Sequence, residues 1–140
     1  MKYPLLLLLT AALAFTSACN KDSAATTTTP TPATRTTTTF TGTVPVRSSD
    51  SHTFTTAATG EVDVDLTAAT PPDGVFMGLA IGTLDASSNC IPLPGGAINA
   101  QAGSTPQLTG IFTAGTLCVQ VRDLGTDAAP VAYTVTVLHP

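Results

Sequence analysis

The side chains of this 140-residue chain that could do chemistry begin with three cysteines, Cys19, Cys90 and Cys118. A thiol can carry an acyl chain, form a disulfide, hold a metal ion or react as a nucleophile. If Cys19 carries lipid outside the cytoplasm, the other two remain as a pair in an oxidising compartment, where a disulfide is favoured. A metal site and a reactive thiol are the alternatives, although neither histidine shows a recognised metal-ligand spacing with this pair.

The adjacent residues Asp50, Ser51 and His52 belong to the three types used in hydrolytic triads. A triad needs side chains that converge from separate segments, and neighbours on a strand point to opposite faces. The sequence also has no Gly-x-Ser-x-Gly elbow, no phosphate-cradling glycine loop and no zinc-protease helix motif. We therefore expect no catalytic residue and no enzyme activity, with His52 at a core or edge position and His139 exposed.

Three carboxylates, Glu61, Asp63 and Asp65, alternate along one predicted strand. Such groups ligate Ca²⁺, and Asp50, Asp73 or backbone carbonyls would complete a site. Residues two apart on a strand are about 7 Å apart, too far for all three to hold one ion unless the backbone turns. We expect a solvated outer face, no metal and no cofactor, with a calcium site as the alternative.

Residues 1–18 have the pattern of a secretory signal, since Lys2 precedes an apolar run from Leu5 to Phe15 and then small residues. The run is too short for the roughly 20 residues that a helix needs to span a bilayer. The segment Thr16-Ser17-Ala18-Cys19 resembles the lipobox of bacterial lipoproteins. That resemblance implies cleavage before Cys19, acylation of this cysteine with palmitate-like chains, and a lipid anchor in the cell envelope. By resemblance to the sorting rule of Gram-negative lipoproteins, Asn20 implies the outer membrane. The alternative is ordinary signal-peptidase cleavage into a secreted form, with Cys19 left as a loose thiol or discarded.

Residues 19–39 are predicted to be a lipid-anchored linker rich in Thr and Pro. They contain no large apolar side chain, so they cannot offset the entropy lost on ordering. Pro30, Pro32 and the β-branched threonines favour an extended, semi-rigid stalk. O-glycosylation of Thr26–Thr29 and Thr36–Thr39 is the alternative to a plain linker.

From residue 40 to residue 140, hydrophobic alternation with a period of two recurs between turn signals, which indicates half-buried strands. Only 10% of the chain is charged and Trp is absent, a composition that argues against a helical bundle. We expect an all-β domain, an antiparallel β-sandwich of about seven to eight strands. Residues 85–105 are predicted to be mostly loop with a short strand at 97–101. A disulfide between Cys90 and Cys118 would pin this loop onto the sheet.

Five short segments carry a family resemblance. They are Phe40-x-Gly42, Asp50-x-His52-x-Phe54, Gly60-x-Val62-x-Val64-x-Leu66, Gly115-x-Leu117-x-Val119-x-Val121 and Tyr133-x-Val135-x-Val137. Over residues 40–139 the chain resembles the bacterial pre-peptidase C-terminal domain, a small jelly-roll-like sandwich usually appended to secreted peptidases, and the resemblance implies a jelly-roll-like β-sandwich here. Related domains in clostridial collagenases bind substrate fibres and calcium, so the resemblance implies a binding or accessory role.

The charge of the chain limits its partners. The net charge is −4, and after residue 40 only Arg47 and Arg122 are positive, so no nucleic-acid partner is expected. We expect contact with a membrane through the lipid anchor, and a protein or polysaccharide ligand. The sequence favours a non-catalytic cell-envelope lipoprotein that displays a binding or accessory module on a stalk. A structural envelope component without a specific ligand is one alternative, and an accessory domain of a secreted hydrolase system is another.

Overall fold

The computed structural model describes residues 34–140. The predicted signal segment, Cys19 and most of the predicted linker lie outside the described residues. Residues 34–140 form eight strands: β1 (Thr36–Val44), β2 (Ser49–Thr56), β3 (Gly60–Thr70), β4 (Phe76–Leu84), β5 (Cys90–Gln101), β6 (Leu108–Phe112), β7 (Gly115–Asp123) and β8 (Val131–His139). Within this range there is no helix with the length and hydropathy that a membrane span requires.

The eight strands pair into two four-stranded antiparallel sheets. One sheet has the order β1-β8-β3-β6 and the other has the order β2-β7-β4-β5. Their inner faces contribute to one hydrophobic core, as in a β-sandwich. The strand order is that of an eight-stranded jelly roll. The predicted all-β sandwich is therefore confirmed.

The alternation in β3 shows why these sequences form half-buried strands. Val62, Val64 and Leu66 are fully buried, whereas Glu61, Asp63 and Asp65, which alternate with them, lie on the outer face. Because successive side chains on a strand point to opposite faces, this spacing gives one apolar and one polar face. Burying a side chain of this size stabilises the fold by about 1.5–3 kcal/mol before entropy is counted.

Strand β4, which lies between β7 and β5, has no charged residue on either face, and its outer face is formed by the small residues Gly78, Ala80 and Gly82. Met77, Leu79 and Ile81 enter the core and are fully buried. On the other face Gly82 lies beneath β5, and a Cβ added there would overlap the carbonyl group of Ile91. Glycine at this position therefore permits the close approach of β5 to β4.

The prediction that residues 85–105 are mostly loop is wrong, because β5 extends from Cys90 to Gln101. Pro92 and Pro94 lie in this strand, and proline is tolerated there because β5 is at the edge of its sheet. The pairing with β4 also shifts register between Ala80 and Gly82. This irregularity accommodates the Pro/Gly-rich residues 92–96 that argued against a strand.

The first strand begins at Thr36, four residues before the predicted start of the domain at residue 40. Thr36–Thr39 pair with Thr136–His139 of β8, so the sheet supplies the hydrogen bonds that this segment lacks by itself. Thr38 Oγ1 lies 3.0 Å from Nε2 of His139. The expectation that His139 is exposed is also wrong, since it is buried and packs against Phe54.

Candidate functional site

The cysteine pair is oxidised. Cys90 at the start of β5 and Cys118 in β7 form a disulfide with an S–S distance of 2.04 Å and a Cα–Cα distance of 5.7 Å. Cys118 is fully buried and Cys90 is 5% exposed. The predicted disulfide is confirmed, and neither thiol is free for metal binding or nucleophilic attack in this state. The bond joins an edge strand to an inner strand rather than a loop to a sheet.

A polar cluster closes one side of the sandwich, where β1 and β2 lie next to each other. Tyr133 of β8 donates its hydroxyl hydrogen to Oδ2 of Asp50 over 2.8 Å, and the hydroxyl oxygen of Tyr133 lies 2.8 Å from Nε2 of His52. The imidazole stacks on the ring of Phe40, with centroids 4.7 Å apart and planes 7° apart. Gly42 completes the cluster, because a Cβ there would lie 2.7 Å from the Tyr133 hydroxyl.

The hydrogen bonds of this cluster determine where its protons lie. An ionised Asp50 only accepts, so the single hydrogen of the Tyr133 hydroxyl is used for that bond. Nε2 of His52 must then carry a hydrogen and donate to the tyrosine oxygen. Burial, together with the hydrogen bond and charge of Asp50, raises the pKa of Tyr133 well above its usual range. The phenol therefore stays protonated and serves as a bridge between the sheets rather than as a nucleophile.

The structure brings together two of the three residues examined as a triad. Asp50 and His52 share the inward face of β2, while Ser51 is exposed on the opposite face. The expected core or edge position of His52 is confirmed, because its ring lies between the sheets at their edge. Tyr133, the group that joins Asp50 to His52, was not among the sequence-predicted site residues. The sequence indicated that Tyr133 belongs to a buried alternating strand pattern. It gave no indication of the two residues that bond to its hydroxyl, which are more than eighty positions away in the chain.

The carboxylates proposed as calcium ligands are engaged by a cation from outside their strand. Arg35 donates from Nη1 to Glu61 Oε1 over 3.1 Å and from Nη2 to Asp63 Oδ2 over 2.6 Å. Burial raises the pKa of Asp63, but the hydrogen bond from Thr109 and the contact with Arg35 outweigh it and hold the pKa below its usual value. Burial raises the pKa of Asp65, which Arg35 does not contact.

Arg35 was assigned to the linker in the sequence analysis, so its contact with the carboxylate row was not expected. Its guanidinium group also donates to the backbone carbonyl of Leu138 over 3.1 Å, which fixes it above β8 and β3. Within residues 34–140, no cluster of three or more His, Cys, Asp or Glu side chains has an arrangement that could hold a metal ion. Glu61 and Asp63 are thus ion-paired with Arg35 on the outer face of β3, whereas Asp65 is not.

Two acids accept hydrogen bonds from backbone N–H groups of turns, Asp85 in the loop before β5 and Asp123 at the end of β7. Asp85 accepts from the backbone N–H groups of Ser87 and Asn89, each over 2.8 Å. Asp123 accepts from the N–H of Arg47 over 2.5 Å and lies beside Asp127. Burial and the negative charge of Asp123 raise the pKa of Asp127. These two carboxyl groups thus favour a shared proton at the start of the loop that leads to β8.

A scan against protein-family models finds no model that matches the chain, and a search of curated proteins finds no match. The description of the protein as a two-sheet all-β antiparallel domain therefore rests on its strand topology.

Proposed function

We propose that the protein is a non-catalytic cell-envelope lipoprotein that presents the β-sandwich as a binding or accessory module. The observation that carries the proposal is the pairing of Cys90 with Cys118, which leaves Cys19 as the single cysteine outside the disulfide. Cys19 ends the lipobox-like segment that follows the apolar run. A buried disulfide is also typical of proteins that fold outside the reducing cytoplasm.

In this proposal residues 1–18 are removed and Cys19 carries the acyl chains. More than one acyl chain is needed for stable anchoring, because a single chain gives only marginal binding. The linker that follows acts as a stalk, which ends before Thr36 because β1 begins there. Asn20 supports placement in the outer membrane of a Gram-negative cell.

The domain itself is proposed to be related to the pre-peptidase C-terminal type. The jelly-roll strand order supports this relationship. It is also supported by the convergence of the motif residues Phe40, Gly42, His52 and Tyr133 into one cluster. Because the polar groups of that cluster are bonded to one another, a binding or accessory role fits better than catalysis.

A structural role without a specific ligand is the second candidate, and one surface favours it. The outward positions of β1 are all threonine, and two of them face threonines of β8 in the pairs Thr39–Thr136 and Thr41–Thr134. This surface of small hydroxyl side chains offers no aromatic anchor for a ligand. The edge strand β6, which carries the exposed side chain of Ile111, favours a binding module instead.

The intact mass of membrane-extracted protein, with and without reduction and alkylation, tests the proposal. We expect a chain that begins at Cys19 with acyl chains attached, and two alkylated thiols that appear only after reduction. The variant Cys19→Ser serves as the control, since it should lose the acyl mass and keep the disulfide. A soluble chain with an unmodified N-terminus would contradict the proposal.

A further inference from the structure

The two lateral sides of the sandwich differ in how their edge strands are protected. On one side β1 and β2 are joined by the stack of Phe40 on His52. On the other side lie β5, which carries Pro92 and Pro94, and β6. Proline, charged residues and covering elements are the usual devices that prevent an edge strand from pairing with another chain. Strand β6 has neither a proline nor a charge.

Among residues 34–140, β6 pairs with β3 alone. The backbone N–H and C=O groups along its other edge are therefore not hydrogen-bonded to any strand of this range. Ile111 lies on the outer face of β6 and is 72% exposed, the highest value of any large hydrophobic side chain in the described range. An apolar side chain on an open strand edge is a known template for strand addition. The exposed edge is therefore suited to recognition.

A groove of about 330 Å³ runs along the inner side of this edge, between β5 and β6. Its walls are Leu93 and Pro94 on one side and Leu108 and Phe112 on the other, with glycine backbone between them. A strand added to β6 would direct every second side chain into this groove and the others to the outer face. The inward residues of a matching segment are therefore apolar and of moderate size.

The acidic side chains of β3 that lie beside β6 indicate that the outward residues of such a segment are basic. Glu61 is aligned with Ile111 and Asp63 with Thr109 in the pairing of β3 with β6. Within the described part of the chain, Arg35 is the one cation that contacts this row, and the Glu61 side chain remains 50% exposed. An added strand would lie about 10 Å from β3, a distance that Lys or Arg side chains can bridge towards carboxylates.

We propose that the free edge of β6 binds an extended segment of a partner protein in which apolar and basic residues alternate. The segment adds a fifth strand to the β1-β8-β3-β6 sheet, places its apolar residues in the groove and turns its basic residues towards Glu61. A second copy of this chain fits less well, because it would bring another acidic row and no basic residue from β6. The inference rests on the proposed function, since it names the partner of a binding module.

The test uses the full chain extracted from membranes in detergent, and a fluorescent peptide of alternating lysine and valine as the probe. Anisotropy measures binding to the native protein, to Ile111→Lys and to the matched control Ile91→Lys on the proline-containing edge. We expect Ile111→Lys to weaken binding about tenfold or more, because it places a like charge at the edge, and Ile91→Lys to leave it unchanged. Unfolding in urea establishes that both variants are folded.

Two further probes separate strand addition from simple charge attraction. A peptide of the same composition with its lysines and valines in blocks, and an alternating peptide with every second amide methylated, should both bind about tenfold more weakly. In the native protein, peptide binding should slow amide hydrogen exchange in β6, a result that needs no variant. Equal binding of the methylated peptide, or full binding by Ile111→Lys, would overturn the proposal.

Self-association that depends on concentration and is lost in Ile111→Lys would assign the edge to a second copy, and would also overturn the proposal. A negative result in these binding experiments can be distinguished from a result that contradicts the proposed function. The acylated mass starting at Cys19 would still identify a lipoprotein, whereas an unmodified soluble chain that binds the peptide would retain the β6 site alone.

Discussion

Removal of the Cys90–Cys118 disulfide is expected to cost a large part of the stability of the domain. The double variant Cys90→Ala/Cys118→Ala deletes the bond without leaving a single thiol to form mixed disulfides. The two cysteines are 28 residues apart, and the chain-entropy relation gives about 3–4 kcal/mol for a loop of this length. A domain of this size is stable by only about 5–15 kcal/mol. The bond therefore supplies a substantial fraction of the total.

The free energy of unfolding is measured by urea titration followed by far-UV circular dichroism, because the chain has no Trp to report on the core. The midpoint should fall in the double variant with little change in folded structure, and the melting temperature should fall by about 12–32 °C. Reduced native protein should match the double variant. A loss below about 1 kcal/mol would refute the reasoning, since it would mean that the crosslink hardly restricts the unfolded chain.

Three other perturbations test the core and the polar clusters. Tyr133→Phe removes the hydroxyl that bonds to Asp50, and urea unfolding should show a loss of about 1–2 kcal/mol; unchanged stability would contradict the bridging role. The raised pKa of Asp127 means that the folded state holds this proton more tightly than the unfolded state, so its contribution to stability falls as pH rises above the ordinary value near 3.8. Asp127→Asn should remove that loss, so unfolding curves between pH 3 and 7 should show a gain over the native protein at the higher pH values, and an identical pH profile would argue against proton sharing with Asp123. Leu66→Ala should cost about 2–5 kcal/mol because the side chain is fully buried, and a smaller loss in thermal unfolding would mean that the core collapses around the gap.

The parts of the fold that sequence reasoning predicted correctly are those with local signals. Val62, Val64 and Leu66 follow a period of two within one strand, and the pattern alone defines which face is buried. The disulfide was predictable because the number of cysteines and the expected compartment restrict the pairing. Neither inference requires knowledge of which strands are neighbours.

The parts that were wrong depend on partners distant in the chain. Residues 92–96 have the composition of a loop and become part of β5 because an edge position tolerates proline. Thr36–Thr39 have the composition of a linker and become part of β1 because β8 is available for pairing. Strand partners a hundred residues away leave no local periodic signal.

The candidate sites show the same limit for side chains. Asp50 and His52 were recognised as chemically capable, but their common partner Tyr133 comes from the last strand. The carboxylates of β3 were recognised as a row, but Arg35 reaches them from the segment before β1. Residue type indicated what each group can do, and the topology decided what each group contacts.

The location of β1 has a mechanical consequence. Any tension transmitted by the preceding chain enters the domain at Arg35, which is ion-paired with β3, and then at Thr36, the first residue of a strand that pairs with β8 on one side. Nine residue pairs from Thr36–His139 to Val44–Val131 would bear that load, whereas the covalent crosslink lies in the opposite sheet between β5 and β7. Under a pull from its own N-terminus, the sandwich would yield first by detachment of β1, and the crosslink would offer no resistance to that step.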